Sequence, residues 1–150
     1  MVYCMEEVLG RFGGIAPVLQ EKATSSQGHS GTKTILIIED DESIGEVIAL
    51  ALMQEAAYTS LVVDNSDAAL ALLTSQPVHL LLIDYHLANK SGLEVYDHLQ
   101  THEALRTLPV IIMSASLERH EQELRERNLA GLSKPFDIDD LLILVKQAIG

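Results

Sequence analysis

Chemically capable side chains stand at four separated places in this chain. They are the acidic run Glu39-Asp40-Asp41, then Asp84, then Ser114, then the string Ser133-Lys134-Pro135. Three carboxylates brought close together repel one another and raise each other's pKa values. A divalent cation removes that conflict. Mg2+ suits the set, because it takes hard oxygen ligands and keeps several waters, so that two or three carboxylates and a phosphate fit around it. Lys134 adds a fixed positive charge that pairs with a carboxylate or a phosphoryl oxygen, and Ser114 supplies a hydroxyl donor. A carboxylate set beside a metal ion, a lysine and a hydroxyl is placed to attack phosphorus, since metal and lysine neutralise charge on the transferring group. The covalent product of that chemistry is an aspartyl phosphate.

These groups are far apart in sequence, so elements of the fold must gather them. Residues 34–38 are an apolar, β-branched run, as in a strand buried on both faces. Ile44, Val47, Ile48, Ala51 and Leu52 then mark one face of a helix. Residues 61–63, 78–83, 110–113 and 130–133 predict four further strands. Ser66 is expected to cap a helix bearing Ala69, Leu70 and Leu73. Ser91 and Glu94 predict a capping box ahead of Val95, Tyr96 and Leu99. Asp137 is expected to cap a last helix with Leu141, Leu144, Val145 and Ala148. Residues 117–128 are mostly charged, with Leu117 and Leu124 as their large apolar anchors, and so predict a region of low local stability. Five strand–helix units in alternation need right-handed crossovers, which place helices on both faces of a parallel sheet. The expected class is a doubly wound α/β domain. In such sheets ligands bind beyond the carboxyl ends of the strands. Every strand except the second ends in one of the polar groups named above.

Composition narrows the rest. The 150 residues fit one domain. Lys plus Arg total 10 against 22 Asp plus Glu, a net charge of −12, and such a surface repels phosphate backbones. Nucleic acid is therefore not an expected direct partner. The sole cysteine, Cys4, rules out a disulfide within the chain and a Cys-rich zinc site. A reducing compartment fits. No run of about 18 apolar residues occurs, and Glu6 and Glu7 stand where a signal peptide needs apolar residues. The expected location is the cytoplasm, away from membranes. Residues 1–33 carry balanced charge, an amphipathic stretch through Met5, Val8, Leu9 and Phe12, and linker composition from residue 24 onward. They read as an N-terminal extension and linker ahead of a domain at 34–150. Asp41 reads as a helix cap. His98 and His102 read as an exposed pair four residues apart on a helix that lacks a third metal ligand.

Four strings, ILIIEDD, LLLIDYHLANKSGLEVYDHL, LPVIIMSAS and LSKPF, stand in an order and spacing that is very specific. Through them, residues 34–149 resemble the receiver domain of the two-component response-regulator family. The resemblance implies a flavodoxin-like (βα)5 fold with strand order 2-1-3-4-5. It implies that Glu39 and Asp40 are the acidic pair that holds Mg2+. Asp84 would be the phosphoacceptor and a metal ligand, and His86 would offer its main-chain carbonyl to the metal. Ser114 would follow the phosphoryl group and Lys134 would pair with it, next to a cis bond before Pro135. The phosphoryl donor would be a phosphohistidine on a sensor histidine kinase or a histidine phosphotransfer protein. The chain departs from the family at Glu39, where Asp is commoner, at Ala88, where Pro is usual, and at Gly131, where an aromatic switch residue is usual. With its last helix ending at Gly150, the chain reads as a stand-alone receiver acting on a downstream protein target. It is not expected to be an enzyme beyond its own phosphorylation and dephosphorylation, and a homodimer is left open. Three other readings are a phosphorelay intermediate, an unphosphorylated pseudo-receiver and a small phosphohydrolase. The last would need a second acid where His86 stands.

Overall fold

Successive side chains of a strand point to opposite faces, and the run Ile35-Leu36-Ile37-Ile38 shows the consequence. Ile35 and Ile37 enter one apolar cluster, and Leu36 and Ile38 enter another on the far side of the sheet. Leu80 and Leu82 against Leu81 and Ile83 divide in the same way, as do Ile111 and Met113 against Val110 and Ile112. A strand buried on both faces needs no polar alternation, so these segments read as unbroken apolar runs.

The computed structural model describes residues 2–4 and 31–150. Its strands are β1 (Val2–Cys4), β2 (Lys33–Ile38), β3 (Tyr58–Val63), β4 (Leu80–Asp84), β5 (Val110–Ser114) and β6 (Ala130–Ser133). Its helices are α1 (Glu42–Met53), α2 (Ser66–Ser75), α3 (Gly92–Leu99), α4 (Glu121–Glu126) and α5 (Ile138–Ile149), with short 3-10 turns at Glu103–Leu105 and Leu117–His120. The sheet order is β1-β3-β2-β4-β5-β6. The five strands β2 to β6 are parallel and follow the expected order 2-1-3-4-5. β1 adds an antiparallel edge, with Val2 opposite Val63 and Cys4 opposite Leu61. The amphipathic stretch from Met5 to Phe12 lies outside the described residues.

Helices α1 and α5 cover one face through Ile48, Ala49, Leu52, Leu141 and Val145. Helices α2, α3 and α4 cover the other through Ala69, Leu93, Val95, Leu99 and Leu124. Among the described residues, no helix is long and apolar enough to cross a membrane.

Several local expectations shift. β3 begins at Tyr58, three residues before its apolar run, because pairing with β2 in register from Lys33↔Tyr58 recruits Thr59 and Ser60 into the ladder. β4 begins at Leu80 rather than at residue 78. Asn65, not Ser66, caps α2. Its Oδ1 accepts from the Ala68 amide at 2.8 Å, while Ser66 is already helical. Asp137 occupies the cap position of α5 without a side-chain bond to the helix. α3 ends at Leu99, so His98 is helical and His102 is not. The Ser91–Glu94 capping box is present, with bonds of 3.1 and 2.6 Å, and Asp41 caps α1 through the Ile44 amide at 3.2 Å. Lys33, read as the end of a linker, opens β2 and donates its Nζ to the Ile149 carbonyl at the end of α5.

Candidate functional site

Parallel pairing brings the strand ends level. Ile38 pairs with Ile83, Asp84 with Met113, and Ser114 with Ser133. One residue beyond β2 is Glu39, and one beyond β6 is Lys134. Their amides continue the ladder, Glu39 to the Val63 carbonyl at 3.0 Å and Lys134 to the Ser114 carbonyl at 2.9 Å. Four adjacent strands thus deliver Glu39, Asp84, Ser114 and Lys134 to a single edge.

Glu39, Asp84 and Ser114 are 2%, 5% and 0% exposed, an unusual concentration of polar groups in an apolar sheet. Lys134 Nζ donates to Glu39 Oε2 at 2.7 Å and to Asp84 Oδ1 at 3.1 Å. Glu39 Oε1 accepts from the Asp41 amide at 3.1 Å. Burial pushes the Glu39 carboxyl up to about 7. The bonds from Lys134 and Asp41 work against that rise, and the negative charge of Asp84 adds to it. Burial also works against the charge on Lys134, but the acceptors Glu39 and then Asp84 outweigh it and raise the ammonium above its ordinary range. Lys134 stays charged, so Glu39 is the member of this pair that takes up a proton on acidification.

Asp40 is exposed beside these two buried acids. One carboxylate oxygen from each of Glu39, Asp40 and Asp84 lies within 4.8 Å of the other two. With all three ionised and Lys134 charged, two negative charges stay unbalanced. An all-oxygen donor set carrying that excess fits a hard divalent cation such as Mg2+. Among the described residues it is the only such group of three or more potential ligands. The His98 and His102 rings lie 5.6 Å apart, and no third ligand joins them among the described residues.

Ser114 is fully buried, and its Oγ accepts from the Ser116 amide at 2.9 Å. His86, exposed, pairs with Ser91 in an isolated bridge that shapes the loop after Asp84. The Lys134-Pro135 bond is cis. A Cβ at Gly92 would lie 2.5 Å from the Asp84 carbonyl oxygen, so the absent side chain lets α3 start directly against the end of β4.

Two features are not visible in the sequence. The Tyr85 ring stacks on His120, with centroids 3.6 Å apart and planes 16° off parallel. Leu117 occupies the space beside Gly131, where a Cβ would meet its Cδ1 at 2.6 Å. Neither leaves a mark in local periodicity. The one signal is negative, a glycine where the family usually has an aromatic.

Residues 35–146 match the family model described as the response regulator receiver domain. The phosphate regulon transcriptional regulatory protein PhoB of Pseudomonas aeruginosa is 32% identical over 119 residues, covering 78% of this chain and 52% of that protein. The chain therefore spans about half the length of that relative. The polar-differentiation response regulator DivK of Brucella ovis is 30% identical, with 79% of this chain and 98% of DivK covered. Among solved structures, the response regulator TrrA of Thermotoga maritima, in complex with Mg2+ and BeF, matches with a TM-score of 0.68 at 25% identity, over 78% of this chain and 99% of that one. The topology, the strand-end cluster and these matches together make the chain a member of the response regulator receiver domain family of two-component systems.

Proposed function

We propose that residues 34–150 form a phosphoacceptor receiver in which Asp84 takes a phosphoryl group from the phosphohistidine of a sensor histidine kinase or a histidine phosphotransfer protein. Receiver domains of this family interact with histidine kinases and downstream targets and hold Mg2+ at an acidic cluster. In this chain the ligands would be Glu39, Asp40, Asp84 and the main-chain carbonyl of His86. Bound Mg2+ would neutralise charge on the transferring phosphoryl oxygens. An Asp84 carboxylate oxygen forms the new bond to phosphorus as the bond from phosphorus to the donor imidazole nitrogen breaks. The imidazole leaves with the electron pair and regains a proton from solvent. Lys134 holds positive charge against the phosphoryl group, and the Ser114 hydroxyl donates to one of its oxygens. Residues 1–33 are an extension to this unit. Output is by protein contact in the cytoplasm, in keeping with a net charge of −12 that disfavours nucleic acid.

The observation that carries this reading is the 3.1 Å separation of Lys134 Nζ from Asp84 Oδ1 at the end of the central strand. The test is incubation of the full chain with acetyl phosphate and Mg2+, followed by intact mass measurement. The wild type gains one phosphate and Asp84→Asn gains none. Equal labelling of both would remove Asp84 from the role.

A further inference from the structure

Glu39 is anchored differently from the other groups of the acidic site. Asp84 and Ser114 lie on β4 and β5, each flanked by a strand on both sides, and the Lys134 amide hangs on the Ser114 carbonyl of β5. The Glu39 amide hangs on the Val63 carbonyl of β3, an outermost strand of the parallel set. β1 covers one half of that strand: Val2, Tyr3 and Cys4 stand opposite Val63, Val62 and Leu61. The two residues at the covered end of β3 both support Glu39. Val63 holds its amide at 3.0 Å. Val62 packs under the first turn of α1, where a Cβ at Gly45 would meet Val62 Cγ1 at 2.8 Å and the Glu39 Cβ and Cγ at 3.9 Å each. Val62, Gly45 and the stem of Glu39 thus meet at one point. The direction of the peptide groups gives β1 its grip. Neighbouring residues of a strand turn their N–H and C=O groups to opposite edges. Val63 turns its carbonyl inward to Glu39, so Val62 turns both of its groups outward, and Tyr3 is its hydrogen-bonded partner in the antiparallel pair.

We propose that β1 is a positioning element of the acidic site: by pairing Tyr3 with Val62 it steadies the end of β3 on which Glu39 rests, and so raises the affinity of the site for Mg2+. The proposal rests on the reading of Glu39 as a ligand of that metal. A glutamate reaches its partners through several side-chain torsions, so its carboxylate is placed only as well as its main chain is held. Glu39 Oε2 meets Lys134 Nζ at 2.7 Å and Oε1 meets the Asp41 amide at 3.1 Å. Both contacts shift if the main chain at residue 39 shifts. A strand with an uncovered edge opens more readily than a flanked one. With β1 in place, the uncovered edge is no longer that of the β3 end that carries Glu39. Three residues outside the parallel sheet thereby act on the site through β3.

The experiment compares the full chain of the wild type with Tyr3→Pro and Val2→Pro. Proline lacks the amide hydrogen that Tyr3 gives to Val62, whereas the Val2 amide is turned away from β3 and its loss removes no such bond. Each protein is followed by amide hydrogen exchange without metal, by an Mg2+ titration read from the amide resonances of residues 39–41 and 84, and by urea unfolding. In Tyr3→Pro the Glu39 amide exchanges about tenfold faster and the Mg2+ dissociation constant rises about threefold, changes on the scale of one weakened hydrogen bond. Val2→Pro stays near the wild type. Pairing that served stability alone would lower the urea midpoint of Tyr3→Pro and leave Mg2+ binding unchanged, and that result overturns the proposal. So does a response from Val2→Pro equal to that from Tyr3→Pro. A Glu39→Gln background tests the route, because there Tyr3→Pro moves the Mg2+ dissociation constant less than it does in the wild type. An equal effect in both backgrounds overturns the action through Glu39. A wild type that binds no Mg2+ overturns the reading of the metal site, and this proposal with it. A wild type that binds Mg2+ but gains no phosphate removes Asp84 as the acceptor and supports the proposal if Tyr3→Pro responds as stated.

Discussion

Lys134 Nζ lies 2.7 Å from Glu39 Oε2, nearer than it lies to Asp84, across 95 residues of sequence. The Glu39 side chain is 1% exposed, so this is a buried pair in which each charge depends on the other. Removing one partner of such a pair costs about 3–5 kcal/mol, because the other is left without compensation. Lys134→Ala is therefore expected to lower the stability of the metal-free protein by about 3 kcal/mol, less whatever Glu39 recovers by taking up a proton. Added Mg2+ should return part of the loss by supplying positive charge to the same carboxylates. Urea unfolding with and without Mg2+ reads both effects. A loss near the surface-pair value of about 0.5 kcal/mol would count against the buried-pair account.

Gly92 and Gly131 respond to a methyl group in opposite ways. At Gly92 the new Cβ meets main-chain atoms of Asp84, the carbonyl oxygen at 2.5 Å and the carbon at 3.1 Å, and the backbone of a central strand has no room to yield. At Gly131 the nearest atoms are the ends of leucine side chains, which rotate away. Gly92→Ala is expected to cost about 1–3 kcal/mol through overpacking and to slow phosphoryl uptake by shifting Asp84. Gly131→Ala should keep most of its stability. Parallel urea titrations and acetyl phosphate time courses check the contrast.

Ser60 sits in β3 with its Oγ fully buried and without a hydrogen-bond partner among the described residues. A buried hydroxyl that makes no bond keeps its desolvation cost. Ser60→Ala removes that cost and leaves a site of almost the same volume. The variant is expected to be more stable than wild type by about 1 kcal/mol. A measurable destabilisation in urea would mean that the hydroxyl is satisfied in solution.

Arg127 and Asp97 join the end of α4 to α3. Arg127 Nε and Nη2 donate to the two Asp97 oxygens at 2.9 and 2.8 Å. This forked bond holds the Asp97 carboxyl below its ordinary range, against the opposing effect of burial and with help from the Arg127 charge. A depressed carboxyl pKa means that the unfolded chain binds the proton first as the pH falls. The stabilisation is complete above the ordinary carboxylate pKa and is lost as the pH falls through the folded value. The Asp97 side chain is 51% exposed, so solvent screening limits the pair to about 1 kcal/mol at most. Asp97→Asn should be less stable than wild type at neutral pH, with the gap closing as acid protonates Asp97. Urea midpoints of both proteins across the acid range test this, and a gap independent of pH would exclude the ion pair as its source.

Much of the site is legible in the amino-acid sequence. Asp84, Ser114 and Lys134 each end an apolar run, and in a parallel sheet the carboxyl ends of the strands share one edge. That placement follows from chain direction alone. The limits of β3 are less legible, because Thr59 and Ser60 enter the ladder only through their pairing with β2. Local propensity carries no information about a partner strand. The Asn65 cap is hidden for a related reason: Asn65 and Ser66 are both good caps, and the backbone at the end of β3 decides between them.

The apolar runs, their alternation with helices, and hence a doubly wound sheet with its acids at one end follow from residue order alone, since hydrophobic periodicity is a property of neighbours along the chain. Tertiary structure decided which acid Lys134 holds more closely, which residue fills the space at Gly131, and what ring Tyr85 rests on. Those depend on strand register and on the close packing of side chains tens of residues apart, where a shift of one ångström exchanges one partner for another.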